Sequence, residues 1–208
     1  MIVNVLPAES ISGLRAELAV QDPAARLQRR LLDFAPLTPA PLPTGLELPD
    51  QFVAVRFEHC PAYPDTEENR ELVLETICEL AERSAVVVLD WRHTVGDVIG
   101  RLAEDERVHF VDEADPNAAA AILARACGFV GSYGPTAYAA ALMGVPATAL
   151  YSRREAIAST DLRVAASFLA RPPFGRLVTV DATGPANETA THVANLLEPA
   201  GRVLAGAS

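Results

Sequence analysis

The 208-residue chain predicts an α/β fold: a single doubly wound parallel sheet of about six strands, with helices on both faces and an amino-terminal helical and extended arm. Three observations carry that expectation. From residue 51 onward, short apolar runs alternate with longer helix-like ones, the pattern of repeated strand–helix units. Apolar runs such as AVVVLD (85–90) and ATALYS (147–152) are nearly continuous, as strands covered on both faces require. Residues 128–151, GFVGSYGPTAYAAALMGVPATALY, pass from strand through a small-residue turn into a helix and back to a strand. Together these describe a Rossmann-like domain, whose ligands gather at the carboxyl ends of the strands.

Residues 1–50 make the arm. IVNVL opens it as a strand-like run, residues 11–32 read as helix, and APLTPAPLPTGLELPD is too rich in proline for either helix or sheet. That last stretch is a linker or a wrapped, extended segment. The sheet domain, residues 51–208, opens with FVAVRF (52–57) and a helix over 66–83. AVVVLD, a short helix over 97–104, RVHFVD (107–112) and a helix over 116–126 follow. Phe129 and Val130 read as the fourth strand, with Gly131, Ser132, Tyr133 and Gly134 as the turn after it. Pro135 suits the first helical turn, where its missing N–H would have had no partner. Gly144 and Pro146 stop that helix after Met143. ATALYS, a helix over 161–170, RLVTV (176–180) and a helix over 188–197 complete the domain.

Composition narrows the classes of function. Half of the residues are hydrophobic and 21% are charged, enough apolar content for a sizeable core. A net charge of -10 with no basic patch argues against nucleic acid as a partner. No run approaches the ~20 apolar residues of a membrane helix, and the amino terminus lacks a basic region followed by an apolar run, so a soluble cytoplasmic protein is expected. Cys60, Cys78 and Cys127 show no CxxC or Cys/His spacing, which leaves neither a disulfide framework nor a structural zinc. Cys78 and Cys127 read as buried small hydrophobes. There is no Asp-x-Asp metal motif and no GxxxxGK[ST] loop, so no metal and no resident cofactor are expected.

The chemistry concentrates at strand ends. Unpaired N–H groups and the positive end of a helix dipole converge at Gly134, where small residues let an anion approach the backbone. The same arrangement serves as plain scaffold where glycine is needed only for close helix-to-sheet packing. FVAVRF runs into EHCPAYPDTEEN without a glycine, which disfavours a dinucleotide site; Asp90 is then a ribose acid or a strand-end cap. His59, with Asp65 in the same loop, is a candidate base or an exposed loop histidine. His93 is weaker, and His109 and His192 read as structural. Arg153 and Arg154 follow the fifth strand at the cleft or on the solvated surface. Asp112, Glu113 and Asp115, before Pro116, read as a helix start.

VGSYGPTAYAAALMGVPATALYS, set after the fourth of six strands, resembles the donor-phosphate loop, helix and following strand of heptosyltransferase-type and related bacterial GT-B glycosyltransferases. Residues 51–198 resemble the carboxyl-terminal half of that fold throughout. The resemblance implies that Ser132, Tyr133, Gly134, Pro135 and Thr136 line the diphosphate of a nucleotide-sugar donor, with Arg56 reaching it from the first strand, and that Asp112, Glu113 and Asp115 accept from its base or ribose; Arg153, at the end of the fifth strand, is a further cation for the departing phosphate by position and charge. It also implies an amino-terminal acceptor domain, which residues 1–50 are too few to form. The expected partner is therefore a nucleotide sugar together with an acceptor-binding half on another chain, as in eukaryotic split N-acetylglucosaminyl transferases, or a second copy of this chain. A non-catalytic Rossmann-like binding or assembly module, with the arm docking on a partner, is the alternative.

Overall fold

A computed structural model describes residues 41–90, 99–111, 116–158, 162 and 175–204. Its centre is a six-stranded, all-parallel sheet in the order β3-β2-β1-β4-β5-β6, an α/β Rossmann-like fold. The strands are β1 (Phe52–Arg56), β2 (Ala85–Leu89), β3 (Val108–Val111), β4 (Gly128–Ser132), β5 (Ala147–Tyr151) and β6 (Leu177–Asp181). Between them lie α1 (Glu67–Ala81), α2 (Ile99–Leu102), α3 (Pro116–Leu123) and α4 (Pro135–Leu142), with α5 (Ala186–Leu204) after β6. The predicted helix over 161–170 lies almost wholly outside the described residues, as do IVNVL and the arm helix over 11–32.

Strand periodicity explains the two cores. Successive side chains of a strand point to opposite faces. Val53 and Val55 therefore join Val86, Val88, Val130 and Val180 on the face covered by α1 and α5. Phe52 and Ala54 join Val87, Leu89, Phe129, Ala147 and Ala149 on the face covered by α3 and α4. With both faces covered, the central strands β1 and β2 read as nearly unbroken apolar runs. Ala137, Ala140 and Ala141 of α4 share this core with the small residues Ala147 and Ala149 of β5.

Helix ends follow local chemistry. Thr66 caps α1 by accepting from the Asn69 N–H at 3.3 Å, with Glu67 and Glu68 in the first turn favouring the dipole. α4 ends in a Schellman motif: Gly144 adopts φ 87°, its N–H reaches the Ala141 carbonyl, and the Val145 N–H reaches that of Ala140. Left-handed backbone of this kind costs glycine nothing.

Two expectations change. β4 runs through Gly131 and Ser132, so only Tyr133 and Gly134 remain as turn; ladder bonding to β1 and β5 carries the strand further than its apolar letters do. Cys78 is exposed, because the register of α1 that buries Thr76 and Ile77 turns the next residue outward; Cys127 is half-buried, with Sγ 3.0 Å from the Phe52 carbonyl. The described part of the arm wraps rather than links: Leu42, Leu46 and Leu48 pack against the α4-side core.

Thr76 carries a fully buried hydroxyl with no hydrogen-bond partner among the described residues. Replacing it by the isosteric valine removes a desolvated polar atom without opening a cavity. Thr76→Val is expected to stabilise the fold by about 1 kcal/mol, a melting point about 2–4 °C higher, measured by thermal and urea unfolding.

Candidate functional site at the strand-order reversal

The sheet order reverses between β1 and β4: the chain builds outward from β1 to β2 and β3, then returns to the other side of β1. At such a point the loops leaving two adjacent strands diverge and leave a crevice at their carboxyl ends. Arg56, the last residue of β1, stands opposite Gly131 of β4 in the ladder. By the two-residue period Arg56 and Glu58 both project on the α4 side of the sheet.

Four side chains meet there. Arg56 Nη1 donates to Thr136 Oγ1 at 3.2 Å and lies 3.0 Å from Glu58 Oε1. Arg56 Nη2 donates to Asp90 Oδ2 at 3.1 Å. The Thr136 hydroxyl, on the first turn of α4, donates in turn to Glu58 Oε1 at 3.2 Å. Arg56 Nε is buried and lacks a hydrogen-bond partner among the described residues. Asp90 holds its carboxylate in place from a left-handed backbone with φ 49°, a conformation that costs about 1 kcal/mol or more outside glycine and is best tolerated by Asp and Asn. It is thus the counter-ion of Arg56 rather than a simple strand-end cap.

The turn beside this cluster is firmly built. Ser132 is buried and its Oγ accepts from the Glu58 backbone N–H at 2.8 Å, which ties the loop after β1 to the end of β4. The Tyr133 N–H reaches the Leu150 carbonyl at 2.7 Å, and its hydroxyl meets that of Tyr138 at 2.6 Å with the rings edge to face. Pro135 is exposed at the first position of α4. A Cβ at Gly134 would approach nothing closer than 4.0 Å, whereas one at Gly131 would meet the Arg56 carbonyl at 2.1 Å and the Phe129 ring at 2.7 Å. Gly131 is therefore required by the protein, and Gly134 leaves bare backbone at the start of α4.

His59 sits farther along the same loop, about one-third exposed, with Nε2 3.5 Å from Asp65 Oδ1. Arg70 forks onto both oxygens of Asp65 at 2.6 and 2.7 Å. These bonds, and to a lesser degree the neighbouring His59, hold the Asp65 carboxyl below its ordinary range. The loop is pinned at its far end as well. The Ala62 carbonyl accepts from the Ser152 and Arg153 N–H groups, and Asn69 Nδ2 donates to Ser152 Oγ at 3.0 Å. Buried Tyr63 packs on Phe57 and donates to the Asn69 carbonyl; burial drives its hydroxyl pKa far upward.

The expected site residues thus separate. Arg56, Thr136 and Gly134 converge at the crevice. Ser132 and Tyr133 support it from below, Ser132 by fixing the neighbouring loop and Tyr133 by packing. Arg153 is exposed and anchors the fifth loop through its backbone, while Arg154 folds back onto the Ile157 carbonyl at 2.9 Å. His109 lies half-buried in β3 and His192 is exposed on α5. His93, Asp112, Glu113 and Asp115 lie outside the described residues. Glu58 was not anticipated, although its place two residues beyond Arg56 puts it on the same side by strand period alone. A shallow depression of about 530 Å³ lined by Arg101, Glu104, Asp105, Glu106 and Arg107 lies by the amino end of the edge strand β3, away from the β1–β4 crevice.

Gly131→Ala is expected to destabilise the fold by roughly 2–3 kcal/mol, because the nearest obstacle is backbone, while Gly134→Ala stays within about 1 kcal/mol of the parent; urea midpoints separate the two. For Asp65 the sign follows from its lowered pKa: its contribution to stability is present above the unfolded value of about 4 and is lost as pH falls through the folded one. Arg70→Gln should move the Asp65 carboxyl titration, followed by NMR, back toward that ordinary value.

Compared with known proteins, the chain matches no protein-family model and no curated protein.

Proposed function

We propose that the chain binds a nucleotide-diphosphate sugar in the β1–β4 crevice, as the donor-binding half of a GT-B-type glycosyltransferase. The observation that carries this reading is the meeting of Arg56 with Thr136 on the first turn of α4, beside the bare backbone of Gly134, at the reversal of a 3-2-1-4-5-6 sheet. Ligands of open α/β sheets seat at this position, and a cation, a hydroxyl and a helix amino terminus together favour phosphate oxygens. The continuous parallel sheet and its place in the strand order support the resemblance of residues 51–198 to that half.

In this reading the departing nucleoside diphosphate gathers negative charge, and α4 and Arg56 stabilise it as it develops. Asp90 is within reach of a ribose hydroxyl on the same ligand. His59, oriented by Asp65, takes the proton from the acceptor hydroxyl when an acceptor is held against the sugar. The acceptor is presented by a second GT-B half, which closes the cleft. We place this activity in the cytoplasm: Cys60, Cys78 and Cys127 are all free, as in a reducing compartment, and among the described residues no helix is long and apolar enough to cross a membrane.

A thermal-shift panel of UDP, GDP, dTDP, ADP and CMP with their sugar conjugates tests the reading. One nucleotide at ~100 times its dissociation constant adds about 2.7 kcal/mol, a rise of roughly 5–10 °C for a chain of this size. The rise should vanish in Gly134→Val, whose Cβ comes no closer than 4.0 Å to another residue's atom but whose branched side chain crowds a bound diphosphate. No shift with any nucleotide, from a folded sample, overturns the proposal.

A further inference from the structure

Glu58 reaches back onto the start of α4. Its Oε1 lies 3.0 Å from Arg56 Nη1 and accepts from the Thr136 hydroxyl at 3.2 Å, so a carboxylate oxygen sits where a cation and the positive end of a helix dipole both favour negative charge. The two acids on Arg56 are held differently. Asp90 stands on a left-handed backbone at the end of β2, and its N–H is bonded to the Val111 carbonyl. Glu58 is tied down in its main chain by Ser132 Oγ on its N–H, while its side chain, held by Arg56 and Thr136 alone, is 36% exposed at the mouth of the loop. The guanidinium is thereby shared between a fixed acid and a releasable one.

We propose that Glu58 is an internal stand-in for the ligand's anionic group: in the free protein its carboxylate occupies the Arg56–Thr136 position, and an arriving phosphate displaces it into solvent. The inference rests on the anion-binding reading given above and adds a specificity device to it. While Glu58 is in place it keeps Arg56 ordered and paired. A singly charged ligand gains little over the carboxylate it replaces, whereas a diphosphate brings more charge and more acceptor oxygens to Arg56, Thr136 and the backbone at Gly134. The exchange therefore selects multiply charged anions.

Calorimetric titration of the full chain tests this, with inorganic pyrophosphate as one probe and UDP, GDP, dTDP and ADP as the others. Three variants are compared with the parent: Glu58→Gln, which keeps the length and removes the charge; Glu58→Ala, which removes the group; and Glu71→Gln, the same charge change on the exposed outer side of α1. Pyrophosphate is expected to bind Glu58→Gln about tenfold more tightly than the parent, as loss of a competing charge-assisted contact implies, with Glu58→Ala moving the same way and Glu71→Gln unchanged. Equal affinities in the parent and both Glu58 variants overturn the stand-in role, and leave the donor-site reading standing if a nucleotide binds. Tighter pyrophosphate binding by the Glu58 variants with no nucleoside diphosphate bound by any protein upholds the stand-in role and overturns the nucleotide reading. No binding of any probe to any of the four proteins overturns both.

Discussion

Where β1 and β4 end side by side, at Arg56 and Gly131, there is room on β4 for backbone alone. Gly131 faces Arg56 across the ladder, and even a methyl group there would overlap the Arg56 carbonyl and the Phe129 ring. This approach joins the two halves of the sheet. It sets the level at which β1 ends, and so where the Arg56 guanidinium emerges. It also sets the position of Ser132, whose hydroxyl holds the Glu58 N–H, and of the turn that starts α4. Arg56, Glu58, Asp90 and Thr136 come from the ends of two strands and a helix, and they meet because β2 and β4 flank β1 and β4 approaches it closely at Gly131.

The cluster is a balance of charges rather than a simple cationic pocket. One guanidinium faces two carboxylates, and the surrounding protein is strongly acidic. An anionic ligand is therefore not drawn in by the general field of the molecule; it must win locally, through hydrogen bonds and the start of α4. That makes recognition depend on the number and placement of acceptor oxygens, which suits a diphosphate. Rigid supports on either side keep the geometry: the Tyr133–Tyr138 pair beneath α4, and the loop of residues 57–66 stapled to β5 through Ala62, Asn69 and Ser152.

Division of labour between the two faces of the sheet is equally physical. On the α1 and α5 side the core is built of branched and aromatic residues, including Phe57, Tyr63, Leu72 and Ile77, and it supplies most of the buried volume. On the other side, alanines of α4 and β5 join Phe52, Leu89, Ile122 and Phe129, and the small side chains let α4 lie close to the sheet. The arm residues Leu42, Leu46 and Leu48 pack against that layer, so the described part of the arm contributes to the same core.

Much of the fold was legible in the residue order because its determinants are local. Unbroken apolar runs mark strands buried on both faces, Thr66 marks a helix start, and Gly144 with Pro146 marks a helix stop; each acts within a few residues of itself. The small-residue opening of α4 at Gly134, Pro135 and Thr136 was legible for the same reason. What the residue order left open is what depends on contacts between distant stretches. The extension of β4 through Gly131 and Ser132 is decided by ladder bonds to β1 and β5, and the exposure of Cys78 by which side of α1 meets the sheet. The pairing of Arg56 with Asp90, 34 residues away, and the turning back of Glu58 onto Thr136, 78 residues away, exist only once the strand order places β2, β1 and β4 next to one another. Short-range stereochemistry is written in neighbouring residues, whereas the charge balance of a site assembled from several strand and helix ends is set by packing.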